Sequence, residues 1–172
     1  MFDEKKYIDL LGLMESGNNY ASENSSGYIG RYQFGTSTLN SLQNTYNLPA
    51  WKNKTYFLSN PNLQDTYIKA LIKDTLNFIA RNNLAIYNGR VVSGSMRFKT
   101  IQAPLNVYGM LAAAHLAGAP ALKKFLIDGT NPNDGLTSLS DYAALFSSKL
   151  TGLSNLAPLI FAFIPAIVLY YI

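Results

Sequence analysis

Apolar residues along 3–16 fall at Tyr7, Leu10, Leu11 and Met14, the i, i+3, i+4, i+7 spacing of one helix face, and predict a helix there. Asp3 is placed to cap its start, and Gly17 to take the left-handed position after its end. From 18 to 34 the period gives way to Asn, Ser, Gly and Tyr, the chemistry of a loop or short β-hairpin. Thr36 or Ser37 then caps a predicted helix reaching Tyr46, and Leu48-Pro49-Ala50-Trp51 breaks the pattern. Asn60-Pro61 reads as a helix start, an N-cap followed by proline at the first helical position. Leu63, Tyr67, Ala70, Leu71 and Phe78 trace the inner face of that helix, with Asp74 as a polar break. Residues 84–103 are less regular. Asn88-Gly89 between "LAIY" and "RVV" is a turn signal and predicts a small hairpin. Pro104 is read as opening the next helix, which carries "VYGMLAAAHLAG" and an alanine-rich face suited to close packing. Pro120 starts a short helix ending near Gly129, and Ser140 caps another from Asp141 to Leu150. No internal repeat is present. The pattern predicts an α+β fold, predominantly helical, with small β-hairpin elements.

The period is lost altogether at the end of the chain. Every residue from Leu156 to Ile172 is apolar or aromatic. As a helix this run spans roughly 25 Å at 1.5 Å per residue, near the lower limit for a bilayer core, and adding Leu153, Ser154 and Asn155 brings it closer to a full span. Tyr170 and Tyr171 suit an interfacial aromatic belt, and Pro158 and Pro165 are better tolerated in membrane helices than in soluble ones. A buried C-terminal core helix is the alternative. The absence of an amphipathic period favours the membrane. The expected organisation is one domain over residues 1–150 and a transmembrane anchor over 153–172.

Composition sharpens this picture only in places. The chain of 172 residues is 48% hydrophobic and 14% charged, so it can build a core. A net charge of +4 fits an anionic surface or polymer, but no Lys/Arg run exceeds a pair, which argues against nucleic acid as a partner. There are no cysteines and there is one histidine, which excludes a disulfide framework and argues against a protein-built metal site. The N-terminus lacks the basic, apolar and small-residue order of a secretory signal.

The candidate chemistry lies in "ESGNNYASENSSGYIGRYQF". Glu15 falls in the last turn of the first predicted helix, where the helix dipole disfavours a carboxylate by up to about 1 kcal/mol. Cleaving a sugar–sugar bond needs a proton donor at the leaving oxygen, and a carboxylic acid in apolar surroundings can supply it. Glu15 follows Leu13-Met14 and precedes a polar, glycine-rich loop, an arrangement suited to that role. Tyr20, Tyr28 and Tyr32 offer stacking faces and hydroxyls for sugar rings, and Gln33 an amide for a hydroxyl or acetamido group. A serine-hydrolase reading is weak, because His115 has no Gly-x-Ser-x-Gly elbow to serve.

This stretch resembles the signature of the lysozyme-like soluble lytic transglycosylases: Glu-Ser, a polar stretch, then Gly-x-x-Gly-x-x-Gln. Glu15, Ser16, Gly27, Gly30 and Gln33 fall at matching positions. It is also similar to the resuscitation-promoting factors, which carry Glu-Ser-Gly-Gly-Asn-aromatic and Gly-Gly-Leu-Gln-Phe. Downstream, "MLAAAHLAGAPALKKFL" resembles the family's Ala-Ala-Tyr-Asn-Ala-Gly motif and, more closely, the Ala-Ala-His-Leu-Gly-Gly segment of phage-encoded muralytic proteins. The resemblance covers roughly residues 5–147. The chain departs from it at Tyr32, where the family has Leu-Met before the glutamine, and at His115-Leu116, where the family has Tyr-Asn.

The resemblance implies a lysozyme-like domain that cleaves the β-1,4 bond between N-acetylmuramic acid and N-acetylglucosamine in peptidoglycan, without cofactor or metal. Glu15 would be the catalytic residue, with Ser16, Tyr20, Tyr28, Gly30, Tyr32, Gln33 and His115 around the glycan strand; His115 would take the place of the family's glutamate-positioning tyrosine. One carboxyl would serve both proton transfers and close a 1,6-anhydro ring, an exception to the two-carboxylate scheme. If Glu23 instead held a water on the opposite face, the enzyme would be a hydrolysing lysozyme. A virion membrane or glycan-binding protein without activity is a rival of another class. A holin-like role is disfavoured by the long chain preceding the apolar run. Lys149 lies just before that run and no charge follows it, so the positive-inside bias places the domain on the cytoplasmic side of the producing cell. A phage virion with an inner membrane, to which the C-terminal helix anchors the enzyme beside other virion proteins, reconciles that topology with a cell-wall substrate.

Overall fold

A computed structural model describes residues 2–96, 99–133 and 137–150. It is a predominantly helical α+β structure with a two-stranded antiparallel hairpin. The described residues divide into two compact units, one formed by Glu4–Asp74 and the other by Phe2 and Asp3 with the described residues from Thr75 to Leu150.

The Glu4–Asp74 unit begins with α1 (Glu4–Ser16), whose buried residues are Tyr7, Ile8, Leu11 and Gly12. The buried stripe is therefore turned from the expected one: Leu10 and Met14 are half-buried, and Ile8 and Gly12 take their place. Gly12 is inside because a larger side chain there would run into the Arg31 side chain. The helix stops as expected at Gly17, in the left-handed region at φ 64°. Gly17 N donates to Leu13 O at 3.1 Å and Asn18 N to Gly12 O at 2.9 Å, which satisfies carbonyls of the last turn. Helix α2 (Thr36–Tyr46) follows, but neither Thr36 nor Ser37 caps it. Gly35 holds the N-cap position, without a side-chain bond, because Thr36 is already helical. A short helix, α3 (Lys54–Leu58), was not expected. Asn53 caps it by accepting from Tyr56 N, and it buries Phe57. Helix α4 (Pro61–Arg81) starts at the predicted Asn60-Pro61, with Asn60 Oδ1 accepting from Leu63 N at 3.2 Å. Asp74, the polar break on its face, accepts from Tyr46 Oη at 2.9 Å.

Phe34 is the centre of this unit's core. Its ring meets Tyr32, Phe57 and Tyr67 edge-on, with centroids 6.2, 6.0 and 6.4 Å away. Phe57 in turn meets Tyr67 at 5.7 Å and Trp51 at 6.5 Å, also edge-on. Each such pair contributes about 0.5–1.5 kcal/mol beyond its area burial.

In the other unit, "LAIY" forms a 3₁₀ turn, Leu84–Tyr87, and the expected hairpin around Asn88-Gly89 lies one segment later. Strand β1 (Val91–Met96) pairs antiparallel with β2 (Lys99–Pro104), from Val91 opposite Pro104 to Met96 opposite Lys99. Asn88-Gly89 does turn the chain, but into the pairing of Arg90 with Leu105. Pro104 thus ends β2, and Asn106 caps α5 (Val107–Ala117) by accepting from Tyr108 N and Gly109 N. Helices α6 (Ala119–Asp128) and α7 (Leu139–Lys149) follow, with Gly129 in the left-handed region after α6. The N-cap of α7 is Ser138 rather than Ser140, in a capping box with Asp141.

Helix α7 packs on α5 and on both strands. The approach is close. A Cβ on Gly109 would meet Ser147 Oγ and lie 2.5 Å from Ala143 O, and one on Gly94 would lie 2.5 Å from Asp141 Cα. The alanine-rich face expected for α5 is this contact: Ala112, Ala113, Ala143 and Ala144 are wholly buried.

Among the described residues no single helix is long and apolar enough to cross a membrane. Helices α5 and α6 reach that composition only as a pair bent by 118°, and Val107–Ala114 are buried. The expected anchor, 153–172, lies outside the described residues.

Candidate active site

Glu15 stands in the last turn of α1, at i+7 from Ile8 and i+4 from Leu11. Those residues are buried and Glu15 is half-buried, so the residue continues the buried stripe to the point where the helix ends. Next to it, Ser16 Oγ donates to Arg31 O at 2.9 Å and accepts from Asn19 N at 3.0 Å. The end of α1 is thereby tied to the turn that the motif places fifteen residues on.

That turn is fixed from within and from below. Gly30 has φ +82°, a left-handed value that favours glycine. Its N–H donates to Ser22 O at 2.8 Å, and its carbonyl accepts from Gln33 N at 3.2 Å and Gln33 Nε2 at 2.9 Å. Gln33 is itself left-handed at φ 49°, and the amide expected to reach a sugar is turned back onto this turn. Ile29 bridges both Glu23 and Phe34, so the predicted hairpin chemistry of 18–34 appears as isolated bridges rather than strands. Beneath lies Gln64, 0% exposed: its Oε1 accepts from Arg31 N at 2.8 Å and its Nε2 donates to Tyr20 O and Phe57 O, each at 2.9 Å.

Arg31 holds the polar side of the site together. Its Nε donates to Asn18 Oδ1 at 3.0 Å, Nη1 to Tyr20 Oη at 2.9 Å and Tyr32 Oη at 3.0 Å, and Nη2 to Asp9 Oδ1 at 3.1 Å. The guanidinium carbon lies 5.3 and 5.1 Å from the centres of the Tyr20 and Tyr32 rings. Both phenols pass their own hydrogens to Asp65, Tyr20 at 2.9 Å and Tyr32 at 2.6 Å from Oδ1. Burial, then the hydrogen bond to Asp65, pushes the Tyr32 phenol far above its ordinary range, so it remains a neutral donor. Burial opposes the charge of Arg31, yet Tyr20 and Asp9 as acceptors hold it above its usual value. The Lys5 ammonium, with Arg31 beyond it, holds Asp9 below the usual carboxylate range.

Ser16, Tyr20, Gly30, Tyr32 and Gln33 are therefore brought together at the end of α1. Their parts differ from those expected. Tyr32 is 0% exposed and presents no face to a ligand; it links Arg31 and Asp65. Tyr20 is half-buried, and its hydroxyl is engaged by Arg31 and Asp65. Tyr28, 47% exposed, is the tyrosine of the three with an open face. His115 is half-buried in the last turn of α5 and belongs to the other unit, as does Leu116. Glu23 is paired with Lys54 at 2.8 Å on the surface.

Asp9, Arg31, Gln64 and Asp65 were not foreseen as part of the site. Arg31 carried a signal, being the one charged residue between Gly27 and Gly35. Gln64 and Asp65 carried none, because the site residues they bind, Tyr20, Arg31 and Tyr32, lie more than thirty residues away in the chain.

No family model, curated protein or solved structure matches this chain.

Proposed function

We propose that this chain is a peptidoglycan lytic transglycosylase of the lysozyme-like type, with Glu15 as its single acid/base. The observation that carries the reading is the position of Glu15: a half-buried glutamate at the end of a buried helical stripe, whose neighbour Ser16 is bonded to a fixed glycine turn. An acid/base needs that combination of apolar backing, access and rigidity. The spaced Glu-Ser and Gly-x-x-Gly-x-x-Gln set supports it from the sequence side.

In this reading protonated Glu15 gives its hydrogen to the glycosidic oxygen as the bond to the muramoyl C1 breaks. The substrate's N-acetyl group shares the positive charge that develops. The Glu15 carboxylate then takes the proton of the muramoyl C6 hydroxyl, whose oxygen closes on C1 to give the 1,6-anhydro product and regenerate the acid. The chemistry asks for no metal or cofactor. Glu23 supports the one-carboxylate scheme, because it is held at the surface by Lys54. Tyr28, with its open ring, is the proposed stacking surface for a sugar.

The proposed setting is a phage virion whose inner membrane holds the enzyme by residues 153–172. Protease protection on intact and membrane-stripped particles tests that setting; cleavage that is equal in both contradicts it.

Mass spectrometry of purified peptidoglycan digested by wild type and by Glu23→Gln tests the chemistry. Anhydro-muropeptides from both proteins are expected. Reducing-end products that disappear in Glu23→Gln would make the enzyme a hydrolase instead, and intact peptidoglycan would leave a glycan-binding protein.

A further inference from the structure

We propose that Arg31 is the positioning residue for Glu15, a strap that fixes the C-terminal half of α1 against the loop that follows it. The inference rests on the reading of Glu15 as the acid/base.

Asp9, Gly12 and Ser16 lie on one face of α1, at i, i+3 and i+7, and Arg31 runs along that face. Its Nη2 donates to Asp9 Oδ1 at 3.1 Å. Over Gly12 the strap lies so close that an added Cβ would collide with Arg31 Nε and stand 3.0 Å from its Cγ. Its carbonyl accepts from Ser16 Oγ at 2.9 Å. Past the helix, the guanidinium holds Asn18 Oδ1 at 3.0 Å and Tyr20 Oη at 2.9 Å. The strap therefore grips the chain on both sides of Glu15, at Asp9 and Gly12 before it and at Ser16, Asn18 and Tyr20 after it. It is anchored in turn, with Gln64 on its N–H and Asp65 behind Tyr20 and Tyr32. The Arg31 side chain is only 12% exposed and these donors are committed to protein acceptors, so it acts on Glu15 through the backbone rather than on the glycan.

A helix end without such bonds frays, and a misplacement of about 1 Å in a reacting group can cost on the order of a hundredfold in rate. The strap therefore belongs in kcat and not in KM. The test compares wild type, Glu15→Gln, Arg31→Met, Arg31→Lys and Ser16→Ala on purified peptidoglycan, with circular dichroism to show that each is folded. Arg31→Met is expected to lower kcat about a hundredfold with KM nearly unchanged. Arg31→Lys keeps the charge but cannot fork to several acceptors, and is expected to recover about a tenth of the wild-type rate. Ser16→Ala removes the bond from the helix end to the Arg31 carbonyl, together with the bond that Ser16 Oγ accepts from Asn19 N, and is expected to lower kcat several-fold at unchanged KM. If Arg31→Met does not fold, Arg31→Lys and Ser16→Ala decide. Wild-type kcat in the folded Arg31 and Ser16 variants, with Glu15→Gln inactive, overturns the strap alone. A rise in KM without loss of kcat also overturns it and assigns Arg31 to the substrate. A wild type no faster than Glu15→Gln removes the acid/base and the strap together.

Discussion

Gly30 and Gln64 decide the shape of the site at the scale of single residues. Gly30 is left-handed, and the space where its Cβ would stand is filled by the Gln64 amide. Gly30→Ala meets both the conformational cost, about 1–2 kcal/mol, and the collision, so its loss of stability should exceed the former. Urea unfolding measures it, and a loss below about 0.5 kcal/mol would mean that the turn relaxes without cost. Gln64→Leu keeps the volume but leaves the Arg31 N–H and the Tyr20 and Phe57 carbonyls without their bonds. A loss of about 2–4 kcal/mol is expected by the same measurement. Only the turn itself was legible in the sequence. "GYIGRYQF" announces a tight turn by its glycines, but what the turn rests on lies on another helix, and a local pattern carries no record of that.

At the scale of elements the start of α7 is the clearest case. Asp141 works in the capping box with Ser138 and also accepts from Ser95 N on β1, so one carboxylate joins helix and hairpin. Burial raises its pKa, but the N–H groups of Ser95 and Ser138 and the Ser138 hydroxyl outweigh burial and hold it below the usual carboxylate range. With a folded pKa below the unfolded one, this contribution is present above about pH 4 and is lost as pH falls through the lowered value. Asp141→Asn should therefore be less stable at pH 7 and lose less stability than wild type on acidification. Thermal unfolding at pH 7 and pH 3 checks this; parallel losses in the two proteins would contradict it. Elements announced by proline, glycine or a sustained period were readable: α1, α2, α4 and α6 lie close to where the pattern put them. Helix α3 was not, because its five residues are too few to show a period. The hairpin was displaced because Asn88-Gly89 marks a turn without saying whether strands flank it. "LAIY" has Leu84 buried and Ile86 exposed, two residues apart, which is no strand's alternation.

At the scale of the whole molecule, the proposed glycan-cleaving domain is followed by the proposed membrane anchor over residues 153–172. A chain truncated after Leu150 is expected in the supernatant after alkaline extraction of membranes, with the full chain in the pellet; identical partitioning would contradict the anchor. In the proposed reaction Glu15 alone carries the acid/base chemistry. General acid/base catalysis by one group contributes about 10²–10⁴ in rate, and in the proposed mechanism one group serves both steps. The decisive measurement is the initial rate of solubilisation of purified peptidoglycan by wild type and by folded Glu15→Gln at equal concentration. A fall of about a thousandfold or more is expected for the variant. Equal rates in the two proteins, or no release by wild type, would contradict it.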